Sequence, residues 1–379
     1  MKILQINASY KPAYIYGGPT MSVAKLCEQL VNAGNSVTVF TTTANGKDEL
    51  PVMANKTIIV DGVEVIYFKR NTKDHSHFSP ALLTRLWKDA PKFDVIHIHA
   101  WWNLVSVLSA FIAVSRNVPV IISPRGTLSS YSFTNKNNLA KKLLHNLLGK
   151  RLLRQSYLHA TSNAELKNLA EIITPKGMFD IPNFVKIAPS SIPKKPSGKV
   201  LKLLFFSRIE EKKGLDILLH ALPLLTIPYH LTIAGDGDNA YIDLLKNIAR
   251  YNQSESNISW IGFQNENKFD VFVDHDLLVL PSYNENFGNV VIESLSAGTP
   301  VLISEQVGLA NYVVKNELGW LCETTPRSIS DAINDIATTK TDRLAQISLD
   351  APGIIHRDFD EDQLIKKYID MYQQVINHV

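Results

Sequence analysis

Two glutamates, Glu285 and Glu293, stand on either side of a glycine-containing segment, with seven residues between them. The apolar run at residues 276–280 precedes this pair and predicts a buried parallel strand. Residues 290–297 have the composition of a helix that ends at Gly298. We therefore expect Glu285 at the carboxyl end of a strand and Glu293 within the following helix.

The segment between the two carboxylates predicts a binding site for phosphate. The first N–H groups of a helix have no partner within that helix, and the helix dipole favours an anion beside them. Here the helix start contains Phe287, Gly288, Asn289 and Val290. Together with two carboxylates, such a turn can hold a nucleotide sugar.

A second predicted loop supplies positive charge. Residues 200–207 predict a strand, residues 214–225 predict a helix, and the loop between them contains Arg208 and Lys213. A nucleotide sugar loses its sugar to leave a diphosphate, whose developing charge needs a metal or fixed cations. The alternative is a solvated charged loop that begins at Glu210, because exposed charges are common.

The loop at residues 16–19 lies between the first predicted strand and the first long helix, and it contains Gly17 and Gly18. Glycines at such a place allow the backbone to approach a ligand closely. A simple turn explains the same residues, since glycine and proline mark turns generally. The loop lacks the G-x-G-x-x-G spacing of a dinucleotide-binding turn, which argues against a nicotinamide or flavin enzyme.

Residues 94–99 predict a strand whose end carries His97 and His99 on one face, followed by Trp101 and Trp102. Imidazole could transfer a proton or form hydrogen bonds near a sugar, and indole rings suit stacking on pyranose faces. A packed strand end with hydrogen-bonded histidines is an equal alternative. A His-x-His metal site is less favoured, because no third and fourth ligands lie nearby in sequence.

The composition predicts a globular protein of about two domains. The chain has 379 residues with 45% hydrophobic content, and its net charge of +3 is too small to argue for nucleic acid. Cys27 and Cys322 form no metal or redox pair in sequence, so we expect reduced core thiols. The first residues lack a signal peptide's long apolar stretch, and residues 104–114 are too few to span a bilayer, so we expect a cytoplasmic protein.

Predicted strands alternate with predicted helices, which is typical of parallel sheets with crossover helices. Residues 183–199 interrupt this pattern with prolines and lysines and predict a linker. We therefore expect two doubly wound α/β domains, at residues 1–188 and 199–360, whose ligand-binding loops face one cleft. The other predicted strands are residues 2–8, 36–42, 57–67, 118–123, 230–234, 258–261 and 277–281, and the other predicted helices are residues 20–33 and 241–251.

In their order and spacing, these residues resemble the motifs of the retaining glycosyltransferases of family 4, which have the GT-B fold of two Rossmann-like domains. The resemblance covers nearly the whole chain. Glu285 and Glu293 match the family's paired glutamates, and Arg208 and Lys213 match its Arg and Lys pair. The remaining matches are Gly17 and Gly18 with the first phosphate loop, and residues 160–165 and 181–183 with motifs between the domains.

The resemblance implies a role for each residue. Glu293 would hold the nucleotide ribose, Arg208 and Lys213 the diphosphate, and Glu285 the donor sugar together with the turn after it. It also implies that the enzyme needs no metal or other cofactor and retains the anomeric configuration. Two further implied features are base contacts from the backbone near Gly262 and Phe263, and a last helix at residues 361–379 that returns to the first domain.

One departure from the family concerns Arg125. Many members carry a histidine that contacts the donor sugar at this strand end, where the present chain reads Ser-Pro-Arg-Gly. Arginine donates hydrogen bonds and charge but cannot act as a base, because its pKa lies above about 12. Arg125 would instead bind the sugar, the diphosphate or an anionic acceptor, and His99 is the nearest histidine able to substitute.

The leading hypothesis is a retaining, metal-independent glycosyltransferase that moves a hexose from a UDP- or GDP-type sugar to a glycan or lipid-linked saccharide. Bacterial surface polysaccharide biosynthesis, of lipopolysaccharide or capsule, is the expected setting. Residues 136–154 mix leucines with lysines and arginines, which predicts either peripheral contact with the inner membrane or an ordinary surface helix. The alternatives are a GT-B phosphorylase or epimerase and a non-catalytic module that binds nucleotide sugars.

Overall fold

A computed structural model describes residues 1–128, 148–189, 198–264 and 267–378. Most of the predicted basic segment 136–154 lies outside the described residues, and so does much of the predicted linker 183–199. The chain divides into two compact units. The first unit comprises Met1–Phe184 and Glu361–Val379, and the second comprises Val185–Asp360.

The first unit is built on an eight-stranded sheet with the order β10-β9-β8-β7-β1-β2-β6-β5. All neighbouring strands are parallel except β5 and β6. A separate two-stranded ladder pairs β3 with β4. The strands are β1 (Lys2–Ile6), β2 (Ser36–Thr42), β3 (Ala44–Asn45), β4 (Asp48–Glu49), β5 (Thr57–Val60), β6 (Val63–Phe68), β7 (Val95–His99), β8 (Val120–Ser123), β9 (Tyr157–Ala160) and β10 (Gly177–Asp180).

The single strand predicted at residues 57–67 is wrong, because the chain turns back within it. Asp61 and Gly62 both have positive φ, at 47° and 82°, and β5 runs antiparallel to β6 around them. A two-residue Asp-Gly turn with both φ positive is the connection that suits a tight hairpin. β5 is therefore an antiparallel edge strand on an otherwise parallel sheet.

Helices cover both faces of this sheet, and two separate clusters of buried apolar side chains lie in the unit. The last helix, α13, contributes Tyr368 and Tyr372 to one of them. Asn103 caps α3, since its side-chain oxygen accepts a hydrogen bond from Ser106 N at 2.8 Å. The helices are α1 (Gly18–Asn32), α2 (Pro80–Asp89), α3 (Leu104–Ser115), α4 (Lys150–Arg154), α5 (Asn163–Ile172) and α13 (Glu361–Asn377).

The second unit is built on a six-stranded parallel sheet with the order β13-β12-β11-β14-β15-β16. Its strands are β11 (Leu201–Phe206), β12 (Tyr229–Ala234), β13 (Ile258–Gly262), β14 (Leu277–Leu280), β15 (Val301–Ser304) and β16 (Gly319–Cys322). Its helices are α6 (Leu215–Ala221), α7 (Asn239–Tyr251), α8 (Lys268–Val273), α9 (Asn289–Ser296), α10 (Ala310–Lys315), α11 (Pro326–Thr339) and α12 (Thr341–Asp358). The structure thus confirms the predicted class of two Rossmann-like α/β sheets.

Each sheet changes its winding direction once, beside its first strand. In the first unit the chain passes from β1 to β2 and β6 and later returns to β7 on the other side of β1. In the second unit it passes from β11 to β12 and β13 and returns to β14 on the other side of β11. Ligands of open α/β sheets bind outside the carboxyl ends of the strands at such points. The loops after β1, β7, β11 and β14 are therefore the places where a site is expected.

The two cysteines lie in the core, as predicted. Cys27 and Cys322 are both buried and neither forms a disulfide. Within the described ranges, no helix has the length and apolar character that crossing a membrane requires.

Gly319→Ala should destabilise the second unit, because a Cβ there would lie 2.2 Å from the backbone oxygen of Val301 on the neighbouring strand. The expected loss is about 1–3 kcal/mol of unfolding free energy, measured by urea denaturation. Gly353→Ala is the matched control within α12, where a new Cβ would meet no atom within 4 Å. That control should gain up to about 1 kcal/mol from helix propensity, and equal losses in both variants would contradict the assignment.

Candidate active site

The loops after β11 and β14 touch at the backbone. Gly214 adopts a left-handed conformation with φ of 70°, and a Cβ at this position would lie 2.1 Å from the carbonyl oxygen of Pro281. The amide of Tyr283 also donates a 2.9 Å hydrogen bond to the carbonyl oxygen of Lys212. Only glycine allows this approach, so the two loops are locked side by side.

This contact brings Lys213 to Glu285. Lys213 is buried, and its ammonium donates a short hydrogen bond to the Glu285 carboxylate. The Glu285 backbone is fixed as well, because its N–H donates to Gln306 O at 3.2 Å and its carbonyl accepts from Gly308 N at 2.8 Å. The predicted cation and the predicted carboxylate therefore form one fixed ion pair.

Arg208 is not part of that ion pair. Its guanidinium lies 2.7 Å from the carboxylate of Glu210 in the same loop. Burial would raise the pKa of Glu210, but Arg208 and Lys212 outweigh it and hold that pKa below its ordinary value. Both side chains are more than a third exposed, so this pair can open at little cost when an anion binds.

Glu293 has a partner that the sequence did not indicate. The ammonium of Lys268, on α8, lies 2.7 Å from the Glu293 carboxylate, and both side chains are largely buried. Lys268 is a single lysine in a stretch for which no helix was predicted. Its pairing depends on the packing of α8 beside α9, which no local pattern shows.

The turn between the two glutamates starts α9 as predicted. Gly288 is the N-cap residue of α9 with φ of 91°, and the helix begins at Asn289. The Phe287 ring is buried and packs edge-on against Phe359, so a ligand could reach only its backbone. Gly262 also has a positive φ, at 68°, and the next residue, Phe263, is 61% exposed at the carboxyl end of β13.

In the first unit, the predicted glycine loop leads directly into α1. Gly17, with φ of 63°, is the N-cap residue, and Gly18 is the first residue of the helix. Ser22, in the first turns of α1, accepts a 3.3 Å hydrogen bond from an Arg125 terminal nitrogen. The structure therefore places Arg125 beside the start of α1, after strand β8.

Arg125 is held in a sparsely populated conformation. Its φ is 53°, in the left-handed region, and its half-buried guanidinium also donates to Asn183 Oδ1 at 2.6 Å and to His99 Nδ1 at 3.3 Å. The carboxylate of Glu165 accepts a 2.7 Å hydrogen bond from the next backbone amide, Gly126 N. Burial lowers the pKa of Arg125 below its ordinary value of 12.5, so the geometry keeps a cation in a partly desolvated place.

His97 and His99 share one face of β7, as predicted, but both are fully buried. Their ring centres lie 4.3 Å apart, and every ring nitrogen has a hydrogen-bond partner. Burial lowers the pKa of both imidazoles well below the ordinary value. Of the two alternatives, the structure favours the packed strand end: the Trp101 ring is fully buried in the core and cannot stack on a sugar, whereas Trp102 is half-buried and donates to Thr127 O.

Within the described part of the chain, no group of three or more His, Cys, Asp or Glu side chains is arranged to hold a metal ion. The candidate site in the second unit contains cations from Arg208 and Lys213, carboxylates from Glu285 and Glu293, and the start of α9. These groups suit a molecule that carries both phosphates and hydroxyl groups.

Sequence comparisons match nearly the whole length. The family model described as Glycosyltransferase Family 4 matches residues 16–188, and the one described as Glycosyl transferases group 1 matches residues 189–348. An uncharacterized glycosyltransferase of Methanocaldococcus jannaschii is 26% identical over 98% of both chains. A glycogen synthase of Mycobacterium tuberculosis is 26% identical over 87% of this chain and 84% of its own.

Two solved structures show the same fold at low identity. Anabaena Alr3699/HepE, solved in complex with UDP and glucose, has a TM-score of 0.76 at 19% identity and covers 99% of this chain and 100% of its own. WaaG, described as a glycosyltransferase involved in lipopolysaccharide biosynthesis, has a TM-score of 0.71 at 16% identity and covers 98% and 99%. The two sheets of the present chain therefore have the architecture of GT-B glycosyltransferases.

Lys213→Met should destabilise the second unit by about 1–3 kcal/mol, because the Glu285 carboxylate, only 18% exposed, would lose its charged partner. Lys212→Met is the matched control, since Lys212 is an exposed neighbour that pairs with Glu210 at 3.2 Å. Its effect should stay within about 0.5 kcal/mol. Urea denaturation of both variants tests this, and indistinguishable midpoints would contradict the ion pair.

Proposed function

The chain belongs to the group 1 glycosyltransferases of family 4, and from that premise we propose that it transfers a hexose from a nucleotide diphosphate sugar with retention of configuration. The proposed donor is of the UDP or GDP type, and the proposed acceptor is a glycan or a lipid-linked saccharide. The proposed setting is the biosynthesis of bacterial surface polysaccharide, and the proposed reaction needs no metal ion.

The observation that carries this proposal is the Lys213–Glu285 ion pair beside the start of α9. It lies at the carboxyl ends of β11 and β14, where the second sheet changes its winding direction. The ion pair and helix start combine a cation, a carboxylate and the positive end of a helix dipole within one loop cluster. A sugar diphosphate needs partners of these kinds, because its phosphates are anionic and its sugar hydroxyls donate hydrogen bonds.

The proposed reaction breaks the bond between the anomeric carbon and the diphosphate oxygen and forms a bond to an acceptor hydroxyl. Negative charge develops on the departing diphosphate, and Lys213, Arg208 and the start of α9 would stabilise it. Glu285 would accept hydrogen bonds from the donor sugar, and Glu293, held by Lys268, would accept them from the ribose. The departing diphosphate takes up the proton of the acceptor hydroxyl, so the reaction needs no base from the protein.

Two comparisons support parts of this proposal. The neighbour solved with UDP and glucose, which was also solved with UDP-glucose, supports a nucleotide diphosphate sugar as donor. The neighbour that functions in lipopolysaccharide biosynthesis supports a surface polysaccharide as product. Base contacts from the backbone at Gly262 and Phe263 complete the proposed donor site in the second unit. For Gly17 and Gly18, in the first unit, the family resemblance supports a proposed role in binding phosphate.

A panel of UDP-, GDP- and ADP-sugars should contain one donor that raises the melting temperature and from which the protein releases nucleotide diphosphate. Glu285→Ala should reduce that release by at least about 100-fold, because a fixed transition-state partner is lost. Glu255→Ala is the control, since Glu255 is an exposed carboxylate that precedes β13. It therefore lies at the amino ends of the strands, whereas Glu285 lies at their carboxyl ends. Full activity of Glu285→Ala would refute the assigned role, and binding without turnover would favour the non-catalytic module.

Turnover should survive removal of divalent ions, and the product should keep the donor's anomeric configuration. The first expectation follows from a site in which fixed cations, and not a metal, take up the diphosphate charge. The second follows from the proposed step, in which the acceptor passes its proton to the departing diphosphate and so attacks from the same face of the sugar. Activity is compared with and without a chelator, with added Mg²⁺ as the control, and proton NMR of the first product gives the anomer. Loss of activity with chelator that Mg²⁺ restores, or an inverted anomer, would contradict the mechanism.

A further inference from the structure

A continuous chain of buried hydrogen bonds crosses the first unit and ends at Arg125. It joins side chains from four adjacent strands, β1, β7, β8 and β9, to the last helix, α13. Each intermediate side chain is at most 1% exposed. This hydrogen-bond relay runs from Arg125 through His99, Gln5, Tyr372, His97, Ser123 and His159 to the carbonyl oxygen of Ile181.

The first half of this relay has only one possible direction. Arg125 Nε can only donate, so Nδ1 of His99 accepts at 3.3 Å, and the neutral ring must carry its proton on Nε2. That proton is donated to Gln5 Oε1 at 2.7 Å. The Gln5 amide nitrogen then donates to the Tyr372 hydroxyl at 2.9 Å, so this hydroxyl must pass its own proton onward.

The second half continues in the same direction. The Tyr372 hydroxyl donates to His97 Nδ1 at 2.7 Å, and His97 Nε2 donates to the Ser123 hydroxyl at 2.6 Å. Ser123 donates to His159 Nδ1 at 2.6 Å, and His159 Nε2 donates to Ile181 O at 2.8 Å. The fixed donor at one end and the carbonyl at the other thus assign every proton between them.

The environment agrees with neutral rings. Burial lowers the pKa of His97 and His99 well below the ordinary value and that of His159 to about 3, and the Arg125 charge acts in the same direction. A charged His99 would place its Nδ1–H against the Arg125 Nε–H, and a charged His97 or His159 would take away the acceptor of the Tyr372 or the Ser123 hydroxyl proton.

We infer that His99 and the relay behind it position the Arg125 guanidinium for contact with an anionic substrate group, and that His99 takes no part in proton transfer. Only the identity of that substrate rests on the proposed function; the positioning of Arg125 by the relay does not. The Arg125 guanidinium keeps one terminal nitrogen, Nη2, that makes no hydrogen bond to the described residues. That nitrogen is the part of the side chain left for a ligand, and it suits a phosphate or carboxylate oxygen.

The geometry separates positioning from proton transfer. Both ring nitrogens of His99 form hydrogen bonds, and the ring has no exposed surface. A substrate proton could therefore reach the ring only after its hydrogen bond to Gln5 or to Arg125 had broken. The left-handed backbone of Arg125 needs such restraint, because this conformation is unfavourable for a residue with a Cβ. Tyr372, on α13, contributes to that restraint because its hydroxyl accepts from Gln5, which in turn accepts from His99.

A double-mutant cycle between His99 and Arg125 tests the inference with the donor identified above. His99→Leu should lower kcat/KM by about 10–100-fold, because Arg125 Nε loses its acceptor and the guanidinium shifts. His99→Gln should recover most of that loss, since a carboxamide can accept from Arg125 and donate to Gln5. In an Arg125→Ala background, His99→Leu should have no further effect on kcat/KM. The anionic group that Arg125 contacts could belong to the donor or to the acceptor. Arg125→Ala distinguishes the two, because the KM should rise for the substrate that carries this group.

Two kinetic results would overturn the inference. Additive losses in the double variant would mean that His99 does not act through Arg125. A His99→Gln variant as impaired as His99→Leu would mean that imidazole chemistry itself is required. Melting temperatures of all variants show whether a loss reflects unfolding.

An NMR experiment on the unmodified protein tests the relay even if no donor is found, so it can fail separately from the proposed function. With nitrogen-15 histidine at neutral pH, the signals of His97, His99 and His159 should be those of neutral rings protonated on Nε2. Tyr372→Phe should shift the His97 signals most, because its Nδ1 loses a donor. Charged rings, or protonation on Nδ1, would overturn the assigned direction.

Discussion

The pairing of β11 with β14 is the constraint on which the second unit's site depends. These strands lie far apart in sequence, yet Leu203 is registered with Leu277 and the next residues follow in step. Their two loops leave the sheet so close together that Gly214 has no room for a side chain beside Pro281. Lys213 and Glu285, 72 residues apart, become an ion pair as a consequence of that packing.

The charged side chains of the candidate ligand-binding regions are stabilised in different ways in the two units. The second unit pairs opposite charges, Lys213 with Glu285 and Lys268 with Glu293. Such pairs offer both a cation and a carboxylate, which a ligand with phosphates and hydroxyls can use together. In the first unit Arg70 and Lys11 also form ion pairs, but the side chains that accept hydrogen bonds from the Arg125 guanidinium are all neutral. The Arg125 charge is therefore retained, and the neutral histidines behind it orient the guanidinium without adding charge.

Local patterns in the sequence predicted the elements better than the contacts between them. The run that forms β2 was predicted with its observed ends at residues 36 and 42, and β-branched and aromatic residues, which favour strands, make up most of it. The hairpin at Asp61 and Gly62 was missed although the Asp-Gly pair is a turn signal. The Lys268–Glu293 pair and the partners of His97 depend on strand register and helix packing, so no local spacing could show them.

Arg125 shows why a strained residue can be retained at a site. A glycine would fit the left-handed turn at lower cost, but it would bring no charge. Because Ser22, Asn183 and His99 already fix the guanidinium, the side chain loses its freedom when the protein folds and not when the ligand binds. None of these three partners is a carboxylate, so the hydrogen bonds that fix the guanidinium do not neutralise its positive charge. The strain in the backbone is thus offset by a cation that is both immobile and available.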